Sequence, residues 1–287
     1  MKQATTKIML LYMFLTAAVL TAVRFFQYMS LMDFSTGYFL EGAELGGALI
    51  YILMAVFAVG FAALSIVSGK KDNTAFSVSS DGMGNNATRV LGFSEVIAGG
   101  FVLVPVFEES FSIQSVFMII AAAALVVSGF TLLGRIVPPV FVGHLNFICA
   151  VYMVLRTMLC FSSDLTILSH SDNLIVLIAY VLNAVMLASV ARFYLRFETK
   201  ASRMREIVTA GLAFTASCAH VLPKLAALAF GGSATAGMTP INYDICAGLV
   251  ISLAFLIIVF CTKKKKDIIP LEDDDTPFKK KKQNTAA

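Results

Sequence analysis

Three basic residues, Arg24, Arg156 and Lys224, lie inside or at the edge of long apolar runs. A cation held in hydrocarbon is costly, so it must snorkel to a headgroup, pair with a carboxylate or bind an anion. At a rise of 1.5 Å per residue, each falls roughly 25 Å from one end of its run, so all three share one depth. His220 is one helical turn before Lys224, Tyr152 one turn before Arg156 and Tyr28 one turn after Arg24, each on the same face as its cation. Pro223 withdraws the amide that would bond the Ala219 carbonyl, leaving an acceptor for a cation or water. Arg24, Arg156, Lys224, His220, Tyr28 and Tyr152 are therefore the expected binding set for an anionic solute or a lipid headgroup. The competing reading pairs the cations with Glu41, Glu44, Glu108, Glu109 or Asp244 and gives them a structural role.

At the opposite depth, Glu95 and His144, with Asn146 beside it, fall within about two turns of the other boundary. A carboxyl and an imidazole at one depth could relay a proton. The alternatives are that Glu95 pairs with Arg89 or stays protonated. Asn183, midway along its run, reads as an interhelical hydrogen bond.

Catalytic signatures such as HExxH, a Walker lysine loop, GxSxG or an aspartate cluster do not occur in the chain. The five cysteines, Cys149, Cys160, Cys218, Cys246 and Cys261, have no metal-ligand spacing and read as packing residues. No metal, no cofactor and no catalytic residue are expected, and nothing points to nucleic acid.

The elements that position these groups are dictated by composition. Of 287 residues, 58% are apolar and 14% charged, and the mean hydropathy is +0.83, so lipid is the solvent. A hydrocarbon core of roughly 30 Å needs about 20 helical residues to cross. Windows of that length predict eight transmembrane helices, at 7–28, 45–68, 89–107, 111–133, 139–160, 174–195, 206–228 and 243–262. The expected fold class is all-α, a polytopic membrane helical bundle. Residues 1–262 form its single transmembrane domain, and 263–287 a disordered tail of alternating like-charge blocks.

Lysines and arginines fill alternate connections, while the others carry Asp33, Glu41, Glu44, Glu108, Glu109, Asp164, Asp172 and Asp244. The positive-inside rule then places both termini in the cytoplasm, in a multi-pass protein of the cell membrane. Asp172 and Asp244 read as acids that cap helix starts.

Arg24 and Arg156 occupy matching depths 132 residues apart, and Pro105 and Pro223 likewise at 118. These anchors suggest a parallel 4+4 pseudo-repeat with halves 1–134 and 135–262.

The reading that fits best is a transporter-like protein with membrane lipids around it and an anionic ligand in an outer cationic pocket. A scaffold or accessory subunit without a ligand, and a lipid-modifying enzyme, are the alternatives.

Overall fold

A computed structural model describes residues 2–32, 39–69, 85–108, 111–134, 139–163, 171–195, 202–230 and 241–261. Eight α-helices follow in order: α1 (Lys2–Ser30), α2 (Glu44–Gly69), α3 (Asn85–Glu108), α4 (Ile113–Gly134), α5 (Pro139–Ser163), α6 (Ser171–Tyr194), α7 (Ser202–Phe230) and α8 (Tyr243–Cys261). Each is long and apolar enough to span a membrane. The expected bundle of eight membrane helices is therefore the fold. The expected tail at 263–287 and most of the loop after α2 lie outside the described residues.

Local chemistry sets the helix ends. Ser112 and Ser115 exchange backbone-to-side-chain contacts at the start of α4, a reciprocal cap. Pro139 opens α5, where its missing amide costs nothing. Gly42 takes a positive φ of 81° in the turn before α2, a conformation glycine adopts without strain.

Helices α3 to α8 pack as a closed ring in chain order, α8 returning onto α3 and also touching α6. Helix α1 docks on α7, and α2 packs on α1 and α7 outside the ring. Only 11% of the α2 span is buried, against 67% for α7 and for α8, so α2 is peripheral. This arrangement corrects the expected 4+4 repeat. A twofold relation would require α3 to meet α5 as α1 meets α7, and α4 to meet α7 as α8 meets α3. No comparable contact joins either pair among the described residues. Two arginines and two prolines were too few anchors to specify a repeat.

Close helix contacts depend on small residues. A Cβ on Gly129 of α4 would lie 2.4 Å from the Gly92 carbonyl oxygen of α3, and one on Gly92 would lie 2.8 Å from the Gly129 oxygen. That crossing brings Glu95 of α3 to Ser128 of α4. On α8, Gly248 leaves room for Asn183, whose amide donates to Ser217 of α7 at 3.1 Å as the interhelical bond expected.

Candidate functional site

Polar side chains gather at the distal end of the bundle, where α1, α3, α5 and α7 finish and the even helices begin. They form two groups. In the first, Arg24 of α1 and Lys224 of α7 share one carboxylate, Asp172 in the opening turn of α6. Arg24 forms a buried ion pair with it, Lys224 Nζ lies 3.3 Å from Oδ2, and Tyr28 donates to Oδ1 at 2.7 Å. Arg24 also donates to Gln27 at 2.8 Å and lies over the Tyr28 ring, 4.6 Å from its centroid. Gln27 in turn donates to the Gly46 carbonyl at 2.6 Å, tying α2 to α1. The Arg24 and Lys224 side chains are 0% and 1% exposed. Their charge is therefore met inside the protein, assisted by the positive end of the α6 dipole acting on Asp172.

In the second group, Arg156 of α5 donates through Nε to Asp244 of α8 at 2.9 Å. Tyr152 donates to the other Asp244 oxygen at 3.0 Å, and Tyr180 of α6 donates to Asp244 Oδ2 at 3.4 Å. Arg156 also reaches the Tyr180 hydroxyl at 3.3 Å and Gln114 of α4 at 3.5 Å. Its side chain is 22% exposed, so this pair is less sheltered than the first.

The three cations lie at similar distances from the ends of α1, α5 and α7, but Arg156 does not share the carboxylate that Arg24 and Lys224 hold in common. Arg24, Tyr28, Lys224 and His220 belong to one group, and Arg156 and Tyr152 to the other. Of the carboxylates expected to pair with them, Asp244 is the one that does so among the described residues. Glu108 instead accepts from Tyr243 at 3.5 Å on the surface. Glu41 is exposed, the Glu44 side chain and Glu109 lie outside the described residues, and the main partner is Asp172.

His220 is the least settled member. It is buried to 1% exposure within electrostatic reach of Lys224, Asp172 and Arg24, yet neither ring nitrogen has a hydrogen-bond partner among the described residues. A neutral imidazole carries one donor and one acceptor, and burying both unmet costs roughly 1–3 kcal/mol for each.

One turn toward the middle of the bundle, a partly open cavity of about 340 Å³ begins. Leu20, one turn before Arg24, lines it on α1; Ala216, one turn before His220, lines it on α7. Leu174 of α6 and Ala58 of α2 complete its apolar walls. Tyr51 of α2 also lines it and lies within electrostatic reach of Arg24 and Asp172, so cavity and charged group are neighbours. Its walls are apolar and it is partly open, so a hydrocarbon chain suits it.

At the other end, Glu95 is fully buried and meets Asn146, not His144. The Asn146 amide donates to Glu95 Oε1 at 3.0 Å and reaches Ser128 Oγ at 3.1 Å. His144 sits on the exposed face of α5, donating from Nδ1 to the Val140 carbonyl at 2.9 Å. Residues two apart on a helix point to nearly opposite sides, so α5 can offer Glu95 only one of the two. The expected Glu95–His144 relay is thus replaced by a Glu95–Asn146 pair. Arg89 is exposed and makes no ion pair with Glu95.

Among the described residues no group of three or more potential ligands could hold a metal ion. No protein-family model, no curated protein and no solved structure matches the chain.

Proposed function

We propose that this is a transporter-like membrane protein that binds an anionic amphiphile. Its acidic head would lie at Arg24, Lys224 and His220, and its chain in the adjoining cavity. The observation that carries the reading is His220, buried beside two cations with both nitrogens unmet among the described residues and an apolar cavity one turn away. An acidic head can accept from the imidazole and share the cations with Asp172. A tail in the cavity would bury apolar surface against α1, α2, α6 and α7. Arg156 and Tyr152, in the neighbouring group, would hold the bundle together around it. The reading includes both termini in the cytoplasm and the two charged groups at the outer face of the cell membrane.

A second reading, a scaffold without a ligand, is favoured by the ion pairs themselves, because each of the three cations already meets a carboxylate. Mass spectrometry of the protein released intact from detergent separates the two. An acidic single-chain molecule retained by the wild type and lost from a Lys224→Met, His220→Leu variant supports binding, whereas bare protein from both supports the scaffold. Orientation is tested by single cysteines in a cysteine-free background. Those replacing Ser80, Lys200 and Asp275 should resist an impermeant thiol reagent in whole cells, and those replacing Tyr38, Ser169 and Ala236 should react.

A further inference from the structure

We infer that Glu95 and Asn146 form a proton-binding site inside the helix ring, with Glu95 holding the proton on Oε2. The inference rests on hydrogen-bond accounting and is independent of any ligand at the distal end. Asn146 Nδ2 donates to Glu95 Oε1 at 3.0 Å. Three buried oxygens around that bond have no partner among the described residues: Glu95 Oε2, Asn146 Oδ1 and the Tyr194 hydroxyl. An ionised carboxylate leaves this deficit in place, because Oε2 and Oδ1 are then both acceptors. One proton on Oε2 satisfies two of the three, Oε2 and Oδ1. Oε2–H can donate to Oδ1 while Nδ2–H donates to Oε1, the cyclic pairing of a carboxylic acid with a carboxamide.

The surroundings offer an ionised carboxylate hydrogen bonds from Asn146 and Ser128 but no opposing charge. Glu95 is 0% exposed and takes part in no ion pair among the described residues. The titratable groups facing it are Cys149 of α5 and Tyr194 of α6, neither of them a cation. Helix α4 contributes Ser128 and contains no titratable residue. On α8, which also packs on α3, the titratable side chains described are Tyr243, Asp244 and Cys246, all in the first turn at the distal end. An isolated buried carboxylate in this position costs several kcal/mol and takes up a proton instead.

Infrared spectroscopy of the purified protein in lipid nanodiscs tests the site. The wild type at neutral pH should show the carbonyl band of a protonated carboxyl group, and Glu95→Gln should lack it. Asn146→Val should keep the band but move it to the higher frequency of an acid with a weaker partner. Glu95→Gln, whose amide can bond Asn146 in the same cyclic manner, should unfold at the wild-type temperature, and Glu95→Ala at a lower one. Wild-type and Glu95→Gln spectra that coincide in the protonated-carboxyl region, with carboxylate bands lost from the variant, would overturn the inference by showing an ionised carboxylate. So would a band abolished by sodium at constant pH, which would make the site one for a metal cation, or a large loss of stability in Glu95→Gln.

Discussion

Replacing Asp172 by Asn removes the charge that Arg24 and Lys224 share while keeping the side chain's shape. Lys224 Nζ lies 3.3 Å from Asp172 Oδ2. At an effective dielectric of about 20 that attraction is about 5 kcal/mol before desolvation is subtracted. Arg24 is held at least as closely and is fully buried. Breaking one buried pair by removing a partner costs roughly 3–5 kcal/mol in water-soluble proteins. In detergent the unfolded helices find other polar partners, which favours the lower end. We therefore expect Asp172→Asn to lose about 3 kcal/mol, or roughly 6–12 °C at 2–4 °C per kcal/mol. The chain has no tryptophan, so unfolding is best followed with a thiol-reactive dye that reports exposure of buried Cys149 and Cys218. Adding Lys224→Met to Asp172→Asn should restore part of the loss, because one of the two cations is then gone. A single variant within about 0.5 kcal/mol of wild type, the range of ordinary surface changes, would refute the shared ion pair.

Asp244→Asn should cost about half as much, since Arg156 is partly solvated; an equal or larger loss by the same dye assay would contradict that ranking. Lys224→Met alone should barely change the unfolding temperature, because Asp172 keeps Arg24 and Tyr28, while weakening binding of an acidic ligand by roughly 1.5–3 kcal/mol in a titration. Gly129→Leu should destabilise strongly, since even a Cβ would press to 2.4 Å of the Gly92 carbonyl. Gly100→Ala on α3, with nothing within 4 Å of the added atom, is the matched control.

Hydropathy made the eight spans legible because a membrane demands length and apolarity from every crossing helix. The break between α3, which ends at Glu108, and α4, which begins at Ile113, fell where two adjacent carboxylates made it necessary. The cations at Arg24, Arg156 and Lys224 were visible for the same reason, as groups that lipid does not tolerate without compensation. Their partners were harder to see. Placing the sixth span at 174 put Asp172 in a connection and gave it a capping role, whereas α6 begins at Ser171 and carries Asp172 in its first turn. No periodicity could repair this, because a helix apolar all round gives no rotational phase. The same limit hid the choice between His144 and Asn146 as the neighbour of Glu95. The cavity was beyond reach altogether, since its walls come from four helices and look in sequence like any other apolar face.

The central claim, binding of an anionic amphiphile at the Arg24, Lys224 and His220 group with its chain in the cavity, is tested most directly by a paired titration. A fluorescent single-chain carboxylate and its matched alcohol are titrated into wild type, Lys224→Met and Ala58→Phe, the last filling the cavity from peripheral α2. The account predicts that wild type prefers the acid, that Lys224→Met loses this preference, and that Ala58→Phe weakens acid and alcohol alike. Equal binding of acid and alcohol by wild type, or wild-type binding by both variants, would contradict it.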